Sequence, residues 1–122
     1  MSDQRKNIRY QTLAKAKLEL IPEGEILLRD ISVLGCRVEC TVHAGINMHE
    51  QYKLEVIPEK ISEIGSFDIL VKSKWTREGN YTCEIGFEIA EFPKGRSFQR
   101  YVDYLSWRFA QGDSMSGNLE FP

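Results

Sequence analysis

The sequence predicts a mainly β, antiparallel fold, a barrel or a sandwich, with one C-terminal helix. Two observations carry this. About six short segments alternate apolar and polar residues with a period of two, and turn residues separate them. After Pro93-Lys94-Gly95 the period changes to the three-and-four spacing of an amphipathic helix. Short antiparallel strands joined by tight turns favour a closed or two-layered sheet, which also removes exposed edges.

Residues 1–11 are polar and show no period, so they read as an arm, mobile unless something ties it down. Ala14, Ala16, Leu18 and Leu20 then face one way against Lys15, Lys17 and Glu19. Pro22-Glu23-Gly24 is expected to turn the chain, because proline presets one φ and glycine accepts a positive one. Ile26-Leu27-Leu28 runs extended into Asp30-Ile31-Ser32, and Gly35 reads as a bulge or close backbone approach within that strand. Cys36, Val38 and Cys40 share one face beyond it, with Arg37 and Glu39 on the other.

Tyr52, Leu54 and Val56 form the next alternating set, ended by Pro58, and Phe67, Ile69 and Val71 lead into Trp75. Gly79-Asn80 signals a hairpin, followed by Tyr81, Cys83, Ile85, Phe87 and Ile89 on one face. Phe98, Tyr101, Val102, Leu105 and Phe109 mark the helix, with Gly112 as its stop. Their stripe needs a barrel end, a barrel flank or a partner subunit to cover it. The expected organisation is an arm over 1–11, a folded unit over 12–111 and a flexible tail over 112–122.

Composition bounds function. With 122 residues, 42% of them hydrophobic, the chain suits one domain with a modest core. No apolar run reaches the length of a membrane-spanning helix, and the polar N-terminus lacks a signal core, so a cytoplasmic protein without membrane insertion is expected. Three cysteines without CxxC spacing, and His43 and His49 in a polar stretch, read as buried thiols and loop histidines rather than a metal site. A net charge of −2 argues against general nucleic-acid binding. Residues 1–17 nevertheless carry Arg5, Lys6, Arg9, Lys15 and Lys17 against Asp3, a net +4, which leaves −6 on the rest. That asymmetry suggests a local anion site. No nucleophile elbow, phosphate-binding glycine loop or metal-ligand spacing appears, so no catalytic residue and no enzyme activity are expected.

Two constellations remain. Arg5 and Arg9 lie four apart in the polar arm, and Asp30, Ser32 and Gly35 follow on the second apolar segment. A guanidinium pairs bidentately with phosphate, stacks on an aromatic base and forks onto guanine O6 and N7. A carboxylate accepts from guanine N–H groups or holds an arginine. A serine hydroxyl both donates and accepts, and glycine lets a flat base or a phosphate approach the backbone. Together these groups suit an anionic ligand that carries guanine.

In order and spacing these residues resemble the PilZ domain family, whose signature is RxxxR in an N-terminal arm followed by (D/N)xSxxG on a barrel strand. Arg5 and Arg9 match the first motif; Asp30, Ser32 and Gly35 match the second without substitution. Lys72-Ser73-Lys74-Trp75 and Glu84-Ile85-Gly86-Phe87-Glu88 resemble later family strands, with Ser73 standing where the family carries valine. The resemblance implies a six-stranded antiparallel β-barrel of the PilZ type with one C-terminal α-helix. It also implies cyclic di-GMP as ligand, with no other cofactor. By that likeness Arg5 and Arg9 grip guanine edges and phosphates, Asp30 holds a guanine or an arginine, Ser32 bonds nearby, and Gly35 keeps the surface open. Gln4, Lys6 and Arg37 are secondary candidates. Trp75 belongs to the apolar set of its strand, so core packing is expected, with stacking near a base as the alternative.

The implied mechanism is an arm that orders on ligand binding and signals through a downstream protein, in motility or biofilm regulation. Two other readings compete: a PilZ-fold interaction adaptor that does not respond to nucleotide, with Tyr104 and Trp107 as a partner surface, and an OB-like binder of single-stranded nucleic acid.

Overall fold

The computed structural model describes residues 8–19, 21–41, 45–91 and 93–112. Gln4, Arg5, Lys6, Leu20, His43 and the tail from Asp113 onward lie outside these residues. The strands are β1 (Tyr10–Gln11), β2 (Lys15–Leu18), β3 (Ile21–Ile31), β4 (Gly35–Cys40), β5 (Gln51–Ile57), β6 (Phe67–Glu78) and β7 (Cys83–Glu91), followed by the helix α1 (Ser97–Ala110). Strand β3 pairs with β2 and β4, β2 with β5, β5 with β6, β6 with β7 and β7 with β4, all antiparallel. The six strands β2 to β7 therefore close on themselves, and every ladder has a partner.

Alternation fills the inside. Ala16, Leu18, Ile26, Leu28, Val38, Cys40, Leu54, Val56, Ile69, Val71 and Ile85 are buried in one cluster. Each larger aliphatic side chain contributes about 1.5–3 kcal/mol by leaving water. Closing so few strands needs strong local curvature, and the long strands supply it with irregularities. One extra residue, Arg29, sits between the pairs Leu28–Val38 and Asp30–Arg37, and another, Lys74, between Ser73–Phe87 and Trp75–Gly86.

Helix α1 covers one barrel end. Its buried residues are Phe98, Tyr101, Val102 and Leu105, at helical spacing, and Phe67 meets the rings of Phe98 and Tyr101 at 6.1 Å each. Just after β5, Glu59 ties the helix down: the Tyr101 hydroxyl donates to its Oε1 at 2.7 Å and Arg108 Nη1 donates to its Oε2 at 3.1 Å. Gly112 follows the helix with φ +78°, the left-handed geometry that glycine adopts without strain.

Several sequence expectations need correction. Pro22-Glu23-Gly24 does not reverse the chain. The reversal falls between Leu18 and Ile21, which pair, and residues 22–24 continue β3 through a register irregularity. A proline without an N–H and a glycine fit that irregularity as well as they fit a turn. Gly35 does not kink one strand; the chain reverses across Ser32–Leu34, and Gly35 begins β4. Tyr10 and Gln11, expected within the unstructured arm, pair with Ile31 and Asp30 as β1. Tyr81 lies in the β6–β7 loop and is exposed instead of joining the inward face of β7. Phe109, expected in the buried stripe, is 58% exposed and meets Tyr10 edge-on, one turn beyond Leu105, the last buried residue of the helix.

Candidate functional site

The β3–β4 turn is built by Ser32. The N–H groups of Leu34 and Gly35 donate to its Oγ at 3.1 and 3.2 Å, and its own N–H donates to the Gly35 carbonyl at 2.8 Å. Its hydroxyl is thus committed to the loop, and Ser32 is buried. Gly35 then passes so close to β7 that a Cβ there would lie 2.4 Å from the Phe87 carbonyl oxygen, so only glycine fits.

On the outer surface beside this turn lies a cavity of about 730 Å³, lined among others by Arg9, Asp30, Gly35, Arg37, Trp75 and Gly86. That volume is of the size that small-molecule sites occupy. Asp30 is its electrostatic centre. Its side chain is only 12% exposed and holds one guanidinium on each oxygen. Arg9 Nη1 donates to Oδ1 at 3.0 Å, and Arg37 donates to Oδ2 from Nε at 3.0 Å and from Nη2 at 2.9 Å. The β3 irregularity at Arg29 sets Asp30 opposite Arg37, and β1 brings Arg9, one residue upstream, across β3.

The two arginines differ. Arg37 is also held by Glu84, 3.7 Å from its Nη1, and Glu84 in turn pairs with Arg77. The Arg9 side chain is 53% exposed and pairs with Asp30. Arg37 therefore keeps the carboxylate compensated while Arg9 is free to re-aim.

Trp75 is not in the core. It is 42% exposed and lies flat against Gly86, where a Cβ would come within 2.2 Å of the indole Cε2 and Nε1. The extra residue Lys74 explains the reversal: the inward phase of Phe67, Ile69 and Val71 ends on buried Ser73, and the bulge turns the next odd residue outward. Gly86 is the site residue that motif reading passed over as a site. Its signal is register: a loop of Gly79–Thr82 sets Trp75 opposite Gly86, and an aromatic ring covering a cross-strand glycine is a recurrent pairing.

Cys36 lines the same cavity from below. Burial first, then the Asp30 charge, push its thiol up to about 12 against a partial opposing effect of Arg9, so it is neither thiolate nor nucleophile near neutral pH. Of the residues singled out from sequence, the structure brings Arg9, Asp30, Gly35, Arg37 and Trp75 to one cavity. Ser32 shapes its rim from within the turn. Gln4, Lys6 and Arg5 lie outside the described residues. Among the described residues no helix is long and apolar enough to cross a membrane.

No family model and no curated protein sequence matches the chain. Among solved structures, it is similar to the inhibitor of motility from Bacillus subtilis, MotI/DgrA, with a TM-score of 0.73 and 15% identity. The likeness covers 88% of this chain and 52% of that one, so the chain spans about half the length of its structural neighbour. The fold is a PilZ-type barrel. At this identity the likeness is one of fold, and the site must be argued from its own residues.

Proposed function

We propose that this protein is a receptor for cyclic di-GMP that orders its N-terminal arm on binding and signals through a partner protein. The observation that carries the reading is the Arg9–Asp30–Arg37 arrangement at a cavity walled by an outward-facing tryptophan. A cyclic guanine dinucleotide presents phosphates, guanine edges and flat purine faces. Arg9 is placed to exchange its Asp30 contact for a phosphate or a guanine edge. Arg37 keeps Asp30 aimed through its two contacts to Oδ2, and the open face of Trp75 offers a base something to stack on. Gly35 lets β4 close against β7, and Gly86 leaves the seat on which the indole rests. Arg5, four residues before Arg9, supplies the second guanidinium in this reading.

The arm then works as an ordering switch. Its attachment among the described residues is short: the two-residue ladder of β1, the packing of Tyr10 against Phe109 and the core, and the Arg9–Asp30 ion pair. Ligand that engages Arg9 adds contacts exactly where the arm meets the barrel, and offsets the entropy of holding it. Isothermal calorimetry on the purified protein tests this. Cyclic di-GMP should bind with measurable heat, and Arg9→Ala should weaken it about tenfold or more, in line with losing a charge-assisted hydrogen bond. Absence of heat at high micromolar nucleotide, or full binding by Arg9→Ala, overturns the reading.

A further inference from the structure

The outer face of α1 carries Arg96, Arg100, Tyr104 and Trp107 at spacings of four, four and three, which places them in one stripe. Arg96 and Arg100 are exposed, and among the described residues neither guanidinium has an ion-pair partner. Trp107 is 60% exposed, with Tyr104 beside it at 6.4 Å between ring centres. Two features make the stripe hard to explain as ordinary surface. First, the helix begins against its own interest. Its N-cap is Arg96 with no side-chain cap bond, and its first turn holds no acid, although the positive end of a helix favours acidic residues and disfavours arginine. Second, Trp107 leaves more than half of a large indole in water, whereas Phe98 and Tyr101 of the same helix are buried.

We infer that this face of α1 is a docking surface for a partner protein segment that is acidic and carries an apolar anchor. Charge complementarity names the partner. The stripe is cationic on a chain of net charge −2, and Arg and Trp are the residue types that concentrate binding energy at interfaces. The stripe is short, about 16 Å from Arg96 to Trp107 at helical rise. A long polyanion such as nucleic acid would run beyond it onto a net-acidic surface, whereas a short acidic segment matches its length. None of these residues lines the nucleotide cavity, so the surface stands apart from that site and does not depend on its assignment. Asp103, exposed on the same face three residues after Arg100, accepts from Gln99 Nε2 at 2.9 Å, so the stripe carries two guanidiniums against one carboxylate.

Fluorescence anisotropy of a labelled glutamate-rich peptide carrying one phenylalanine tests this on the nucleotide-free protein at low salt. The expected result is saturable binding that weakens steeply with salt and falls about tenfold or more in Arg100→Glu and in Trp107→Ala. Both variants alter exposed side chains and should melt like the parent. Arg100→Glu should also bind cyclic di-GMP as the parent does, which separates failure here from failure of the receptor reading. A glutamine-for-glutamate peptide should not bind. No binding of the acidic peptide, or equal binding by both variants, overturns the inference. So does tighter binding of a thymidine oligonucleotide through the same residues, which would make the face a nucleic-acid surface.

Discussion

Trp75 and Gly86 leave no room for a methyl group between them, so Gly86→Ala must push the indole off its seat. We expect a loss of about 1–3 kcal/mol in urea unfolding, the usual cost of overpacking. Gly35→Ala should cost at least as much, because the obstruction is the Phe87 backbone rather than a side chain that can swing away. Trp75→Ala makes the contrasting case. The ring lies on the surface, so the variant should keep most of its stability yet lose about 1–3 kcal/mol of nucleotide binding by calorimetry, the worth of one stacked base. Asp30→Asn keeps the shape but removes the charge between two guanidiniums. It should weaken nucleotide binding by freeing Arg9 and Arg37 from their common anchor, as a parallel titration would show.

At the scale of elements, three packed groups link stability to pH. Burial raises the folded Cys36 thiol from 9.0 to about 12 and the Cys40 thiol from 9.0 to about 11, and burial together with the Glu59 contact raises Tyr101 above its ordinary 10.0. Each raised group holds its proton more tightly when folded. The stability it contributes is complete below its ordinary pKa and drains away as pH rises through the folded value. Urea midpoints should therefore hold up to pH 9 and fall from there toward 12, and Cys36→Ala should remove part of that slope. Glu59→Ala should cost about 1–3 kcal/mol by removing the carboxylate that accepts from both the Tyr101 hydroxyl and Arg108, read from thermal melting. The strand and helix faces were legible in the sequence because period two and period 3.6 report burial directly: Val38, Leu54, Ile69 and Tyr101 all point where their spacing says. Loop lengths and bulges were not. Nothing local distinguishes Pro22–Gly24 as a turn from the same residues in an irregular strand, and the inserted Lys74 turned Trp75 outward against its apparent phase. Ser32 was legible by type, and an Asp-x-Ser-x-x-Gly run is as much turn chemistry as a ligand strand; the bonds from Leu34 and Gly35 to its hydroxyl are the turn chemistry.

For the whole molecule, the closed barrel is the rigid part against which a short arm can be caught. Closure fixes β3, β4, β6 and β7 relative to one another, and the cavity draws its walls from all four. The Arg9–Asp30 pair was legible because one motif supplies guanidiniums and the other a single carboxylate to hold one, while the long-range register that joins them to Arg37 and Gly86 arises from barrel closure and leaves no local trace. Binding should raise the melting temperature in proportion to the logarithm of nucleotide concentration above its Kd, and this gain should vanish in Arg9→Ala. The most direct test of the receptor reading is a nitrogen-15 NMR titration with cyclic di-GMP. The reading predicts saturable shifts of the Trp75 indole N–H and of the Gly35, Arg37 and Gly86 amides, with new peaks from the arm. Unmoved peaks at those positions, or shifts confined to the groove between Lys17 and Lys53, would contradict it.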